Sequence, residues 1–481
     1  MRDRKFGKSS LLSRFSRRRR WISVSPAFLI GLAVSCLQPA TAQDAPRSLT
    51  LEQALQTALK QHPSLQRTDA FIAASASRAR QARAGMMPTV TLQGTVTDGP
   101  LGAPAFGALG NPANFGAPPL SVQGMAGDPV KKQFGGGLNI TQTLLDFGRT
   151  QHLIGARRGL LHAIEQDSET QKALVLVGVQ QAYLDVLRAQ QLAGIQQENV
   201  RRRETTARQA RVFVDAQLKA GVDLQTALAN AAEANVGLIA ARNEVRYAFA
   251  NLNNAMGATS MTSYLLDSDP GRSGAVPGLS LAESEEAAAN RALSQRSELK
   301  SARFQLQAAD QSIRGVQSEL LPRFDAIASL GLVNPSGVIH NSQNYAVGLA
   351  VSIPLYTGGL VENRIAEERQ KRELALAQER EATEAVKLQV ARAWLNVQTH
   401  EAQVGAAREQ VSAANSSLEL ASERYRLQLS SIVELTDSEA TALRAKAALA
   451  NAQYDLEQAR ALLGWATGDT FRRYSRVRIL H

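Results

Sequence analysis

Only one cysteine, Cys36, occurs in 481 residues, and it lies within the first 42. Once that segment is removed none remains, which excludes disulfides and thiolate chemistry. Beyond it no apolar run reaches the about 18 residues of a membrane-spanning helix. If the chain enters a bilayer it must do so as a closed β-barrel, the other architecture that satisfies every backbone group in lipid. The six histidines (His62, His152, His162, His340, His400 and His481) are scattered without ligand spacing, and helix-surface positions account for most of them. No phosphate-cradling glycine loop ending in Lys-Ser/Thr and no nucleophile elbow occurs. Met86-Met87 is the only adjacent methionine pair and brings no metal-relay pattern. The inventory therefore argues against an enzyme, and no cofactor or metal is expected.

Proline is missing too, from Val130 to Asp269 and again after Pro354. Both spans are rich in Ala, Leu, Gln, Glu and Arg, strong helix formers with few glycines among them. Apolar residues recur there at helical spacing, as in Leu174, Val177, Ala182, Leu184 and Leu187. A continuous helix from Arg149 to Gln217 would be roughly 100 Å long. Such a helix has to pack lengthwise against others, in a coiled coil or a barrel of helices.

Excess charge is also scarcer than it first looks. The formal net charge is +11, but residues 1–42 carry nine Lys/Arg against Asp3 and supply +8 of it, leaving +3. No basic stripe follows the helices, so nucleic-acid binding is not expected. The segment reads as a secretory signal: a basic stretch, an apolar run from Ala27 to Leu37, and Ala40-Thr41-Ala42 as a small-residue cleavage site. Arg18-Arg19-Arg20-Trp21-Ile22 offers a twin-arginine alternative. Lipidation at Cys36 is the other, although Ala33-Val34-Ser35 lacks the usual leucine; an inert cysteine in a discarded peptide is favoured. The C-terminal Arg472-Arg473, Arg476 and Arg478 read as a solvated tail.

What the chain does contain is itself, twice. Residues 137–259 and 348–470 align without a gap at a constant offset of 211. Gly137-Leu138-Asn139-Ile140 matches Gly348-Leu349-Ala350-Val351, and Ala182-Tyr183-Leu184-Asp185-Val186 matches Ala393-Trp394-Leu395-Asn396-Val397. A spacing this long means two halves related by pseudo-symmetry rather than a solenoid. A shorter helical stretch precedes each long one. Leu51 to Gly85, with Thr50 as N-cap, ends before Pro88, and Leu281 to Leu321 ends before Pro322. Here the offset is 234, so the first copy carries 23 extra residues, assigned to the Gly/Pro/Ala-rich stretch Gly99 to Asp128 as a surface loop. The expected division is a signal over 1–42, a first repeat over 43–259, a linker over 260–280, a second repeat over 281–470 and a tail over 471–481.

Four strand-like segments lie between the helices: Thr89–Val96, Gly137–Leu144, Phe324–Leu332 and Tyr345–Ile353. They alternate with period two and approach the ~9–11 residues of a tilted membrane strand. Phe134, Tyr345, Phe324 and Tyr356 sit at or near strand ends, where an aromatic girdle would lie. A small soluble sheet capping a helical bundle is the alternative. A closed membrane barrel needs at least about eight strands, so this chain would have to oligomerise to close one.

The arrangement resembles the outer-membrane efflux protein (TolC) family. Leu49-Thr50-Leu51-Glu52-Gln53-Ala54-Leu55 with His62-Pro63-Ser64-Leu65 resembles its opening helix. Glu319-Leu320-Leu321-Pro322-Arg323 resembles its helix-to-strand junction. Ser352-Ile353-Pro354-Leu355-Tyr356-Thr357-Gly358-Gly359 resembles its strand-to-helix turn, echoed by Thr143-Leu144-Leu145-Asp146-Phe147-Gly148. The resemblance implies a mainly α chain with duplicated long-helix hairpins in a periplasmic α-barrel. It also implies four strands per chain in a 12-stranded outer-membrane barrel of a homotrimer. The implied function is the passive exit duct of a tripartite efflux pump, with a periplasmic adaptor and an inner-membrane transporter of the RND or ABC class. A type I protein-secretion channel differs only in cargo; a periplasmic coiled-coil structural protein is the reading of another class.

The resemblance also assigns site residues. Glu434 and Asp437, at i and i+3 on one helix face, match acids that constrict the family's closed entrance, and threefold symmetry would place six carboxylates around the pore. Asp223 matches Glu434 in the first copy, where Thr226 replaces the second acid. The tip pairs Gln217-Leu218 and Gln428-Leu429 are the expected adaptor contact, with Gln where the family usually carries Gly. Ser430 stands where some members have a locking arginine.

Overall fold

The computed structural model describes residues 48–97, 133–258, 263–266, 284–335 and 342–469. The expected signal, the Gly99–Asp128 loop, most of the 260–280 linker and the 471–481 tail lie outside these.

Thr50 starts helix α1 (Leu51–Gln61) through a capping box. Its hydroxyl accepts from the Gln53 N–H at 3.3 Å, and the Gln53 side chain accepts from the Thr50 N–H at 3.1 Å. The single helix expected from Leu51 to Gly85 is in fact two. Pro63 forces His62 into an extended conformation, and α2 (Pro63–Ala84) starts anew with the His62 ring capping the Ser64 N–H. Its counterpart also divides, into α5 (Glu285–Gln295) and α6 (Ser297–Gln317), although no proline is present. The break falls at Arg296, which is extended and 5% exposed. Its guanidinium donates to Glu298 at 2.7 and 2.8 Å, to Gln389 at 2.9 Å and to the Ala466 carbonyl at 3.1 Å, and stacks 4.3 Å from the Trp465 ring. A buried side chain with that many partners sets the backbone where local chemistry does not.

The long helices α3 (Arg149–Asp215) and α7 (Leu360–Arg426) each run 67 residues, roughly 100 Å. They return through α4 (Gly221–Met256) and α8 (Ile432–Ala466). Both are long enough to serve two layers. Towards the sheet the packing order is α2, α3, α6, α7; beyond it the order is α4, α3, α8, α7. Small side chains such as Ala207, Ala210, Ala227, Ala414, Ala442 and Ala445 are buried in that second layer and let the helices approach closely. Each repeat also builds its own core, one around Leu55, Tyr183, Leu252 and Met256, the other around Leu299, Val390, Val397 and Leu463. Gly257 ends α4 with φ 71°, and a Cβ there would come within 2.8 Å of the His62 Cα. The return helix thus abuts the α1–α2 break at a position only glycine fits.

Strands β2 (Thr89–Thr97), β3 (Gln133–Leu145), β5 (Arg323–Pro335) and β6 (Ser342–Ser352) form one antiparallel sheet in that order. A separate two-residue parallel ladder joins β1 (Ser48–Leu49) to β4 (Leu265–Leu266), which lies in the expected linker. Among the described residues no helix is long and apolar enough to cross a membrane.

Candidate functional site

The register sorts the sheet into two faces. Val90, Ile140, Ala328 and Val347 lie across from one another, as do Leu92, Leu138, Leu330 and Tyr345. Ala326, Leu349 and Val351 continue the same apolar face. It is bare: Leu92 is 81% and Val347 83% exposed. The opposite face carries Thr89, Thr91, Gln93, Asn139, Thr141, Thr143, Asp325 and Ser329 with small residues of β6; the exceptions are Ile327 on this face, across from Thr141, and Gln142 on the apolar one, across from Ala326. Its side chains bond to one another: the Thr89 and Thr141 hydroxyls at 2.6 Å, Asn139 Nδ2 to Gln93 at 3.2 Å, and Thr143 to Asp325 at 2.9 Å. Asp325 is also paired with Arg323 at 2.7 Å. An apolar face against a polar, small-residue face is what lipid on one side and water on the other demand. The outer edges of β2 and β6 are unpaired among the described residues, so the sheet is a segment rather than a closed wall.

At the far end of the long helices two turns lie together. Gln217 (φ 57°) and Gln428 (φ 63°) both adopt the left-handed conformation. Each closes its helix in a Schellman pattern. The Leu218 N–H donates to the Phe213 carbonyl and the Leu429 N–H to the Arg424 carbonyl, both at 2.8 Å. Glutamine thus occupies the backbone state that glycine adopts without cost. Gln217, Leu218, Gln428 and Leu429 are all exposed.

Tyr425, fully buried, lies where the two turns meet. Phe213 of the first hairpin packs edge-on against it with ring centres 5.7 Å apart. Lys219 of the first turn lies 5.7 Å from its ring centre and donates to the Ser430 carbonyl at 3.1 Å. Burial raises the Tyr425 hydroxyl above the usual tyrosine range, and the negative charge of Asp223 raises it further. Asp223, in the first turn of α4, therefore faces the second hairpin.

The other two expected acids separate. Glu434 is in the first turn of α8, whose N-cap Ser431 accepts from its N–H at 3.3 Å. Its carboxylate pairs with Arg424 of α7 at 3.4 Å. Asp437 is exposed and makes no side-chain hydrogen bond or ion pair with any described residue.

Some of the charges that organise this end left little mark on the chain. Lys219 shares its repeat position with Ser430, and that pairing was the available signal. The Arg203–Glu439 ion pair (2.9 Å) between α3 and α8 had none. Burial pushes Glu439 above the ordinary carboxylate range, against the Thr206 hydroxyl and the charges of Arg203 and Arg202. Among the described residues no three His, Cys, Asp or Glu side chains converge into a metal site.

Residues 54–258 and 288–469 match the family model described as outer membrane efflux protein. The outer membrane efflux protein BepC of Brucella suis is 24% identical over 334 residues, 69% of this chain and 71% of that protein. Among solved structures, the outer-membrane channel CmeC of Campylobacter jejuni superposes with a TM-score of 0.70 at 16% identity, covering 89% of this chain and 88% of the other. The outer membrane protein VceC of Vibrio cholerae gives 0.68 at 19%, covering 87% and 96%. The structures share the fold, and the family match covers most of both repeats: the chain belongs to the outer membrane efflux protein family.

Proposed function

We propose that three copies close their sheets into a 12-stranded outer-membrane barrel and their helices into a tube beneath it, forming the passive exit duct of a tripartite efflux pump. The observation that carries this is the sheet: four strands, one lipid-like face, one polar face and two free edges. Four strands are too few to close, and an exposed apolar face of this extent asks for lipid. Export would use the N-terminal signal, with cleavage near Ala42.

At the tip, Asp437 supplies the free carboxylate ring that attracts cations. Glu434 is partly offset by Arg424, and Asp223 acts on the tyrosine beneath the turns. Gln217, Leu218, Gln428 and Leu429 are the surface offered to a periplasmic adaptor, which would link the duct to an inner-membrane transporter of the RND or ABC class.

Purified protein in a planar bilayer tests this. Small cation-selective currents from a heat-resistant trimer are the expected result. A folded sample that stays water-soluble, monomeric or dimeric, and never inserts would sink the channel and favour a periplasmic coiled-coil protein.

A further inference from the structure

In the whole four-stranded sheet only two residues are charged, Arg323 and Asp325. They stand two apart on β5, so both project from the polar face. Their place is the base of the sheet, directly after Pro322 ends the helical stretch. At the offset of 234 the matching positions of the first repeat are Thr89 and Thr91. The pair is therefore a feature of the second repeat alone, set in a face that is otherwise uncharged.

The two charges are not presented equally. Asp325 accepts from the Thr143 hydroxyl at 2.9 Å and from Arg323 Nε at 2.7 Å, so each of its oxygens is engaged. Its side chain is 13% exposed, against 42% for Arg323. The terminal nitrogens of Arg323 make no hydrogen bond with any described residue. Asp325 thus fixes the guanidinium through Nε and leaves its outer fork open, the geometry that takes a carboxylate or phosphate by two parallel bonds. Both side chains line a cavity that runs from Gly85 and Met87 at the end of α2 to Ala350 and Ser352 of β6. That cavity crosses the sheet from edge to edge, so the polar side is concave and Arg323 opens onto it.

In the trimer proposed above, on which this inference rests, the polar face lines the lumen. Threefold symmetry then sets three open guanidiniums around it, where the helical tube gives way to the barrel. The carboxylates of Asp437 stand at the opposite end of the helices. At physiological salt a charge acts over about 8 Å, so each Arg323 acts on groups that pass along its own stretch of wall.

We propose that Arg323 is a specificity-determining residue, forming a cationic ring at the base of the barrel that takes carboxylate or phosphate groups of exported solutes. The duct then carries two charged stations of opposite sign, acidic at the tip and cationic at the barrel.

The test reads reversal potentials of the purified full-length trimer in a salt gradient. A Glu434→Gln/Asp437→Asn background keeps the tip acids from masking the barrel. In that background Arg323→Gln should raise the cation-to-anion permeability ratio, and Arg323→Lys should leave it unchanged. The difference should fade in 1 M salt, where screening shrinks to about 3 Å. Inorganic tripolyphosphate added on the barrel side should raise the ratio of the Arg323 form, do so more weakly in Arg323→Lys, which lacks the fork, and leave Arg323→Gln unmoved. A ratio indifferent to Arg323→Gln, or a tripolyphosphate response that survives it, would overturn the ring. Lost thermal stability with an unchanged ratio would do the same, by showing Arg323 to be structural. Should Arg323→Gln not fold, the weaker response of Arg323→Lys decides. A wild type that carries no current overturns both the channel and the ring, whereas a conducting wild type with indifferent variants overturns the ring alone.

Discussion

Lys219 reaches from the first helical turn to the Ser430 carbonyl of the second, 3.1 Å away. The two residues hold the same place in the two repeats, so one copy supplies the cation and the other the acceptor. The resemblance had pointed to position 430 for a locking cation; here a cation ties the turns together from the opposite side. Lys219→Ala should cost about 1–2 kcal/mol, the worth of a charge-assisted bond that is partly exposed. It should also raise bilayer current, while Lys219→Arg retains most of the tie. Equal currents from Lys219→Ala and wild type would count against it.

The left-handed glutamines make a stability prediction of unusual sign. Replacing Gln217 or Gln428 by glycine relieves a conformational cost of about 1–2 kcal/mol and adds unfolded-state entropy of about 0.5–1 kcal/mol. Each substitution should therefore be neutral to stabilising by about 0.5–1 kcal/mol, and β-branched valine should destabilise. Thermal unfolding of the three variants decides it.

Glu434 and Asp437 should not be equivalent. Arg424 sits 3.4 Å from Glu434, so neutralising Glu434 removes a partly compensated charge, whereas Asp437→Asn removes one with no partner among the described residues. Block by multivalent cations should weaken more in Asp437→Asn than in Glu434→Gln. The reverse order would show that Arg424 turns away from Glu434 in the assembled channel.

Glu439 carries a pH signature. Its folded-state value lies above the ordinary glutamate range because burial disfavours its charge. A raised carboxylate stabilises the fold fully below its unfolded value, and that contribution fades as pH rises through the folded value. Denaturation followed upward in pH from the ordinary glutamate range, about pH 4, should therefore show a stability decline in wild type that Glu439→Gln lacks. Parallel curves for the two proteins would exclude Glu439 as the source.

The two sheet faces should respond oppositely to charge. Val347→Arg on the apolar face should cost about 2–4 kcal/mol if it lies near the bilayer midplane and depress the yield of inserted trimer. Ala346→Arg, one residue away on the polar face, should insert normally and alter only conductance. Comparable insertion of both would mean the apolar face does not meet lipid.

Much of the architecture was legible because it is periodic. A helix of 67 residues repeats its apolar spacing many times, and strands such as Thr89–Thr97 alternate throughout, so a local window suffices to read them. The repeat followed from the constant offset alone, and Thr50 announced its own capping box. Pro63 could have divided the first short helix on the same grounds, since its effect on His62 is purely local.

Tertiary structure decided what a window cannot hold. The break at Arg296 has no proline behind it; Gln389, Ala466 and Trp465, all distant along the chain, join the nearby Glu298 around one guanidinium. Arg203 and Thr206 meet Glu439, more than two hundred residues onward, only after both hairpins have packed. Arg424 changes what Glu434 can offer because the turn folds one onto the other. Periodicity is a property of neighbours along the chain, and so the sequence by itself determined the elements, their order and their duplication. Charge pairing is a property of neighbours in space, and so only the packed helices determined which acids are buried, which are paired and which remain free.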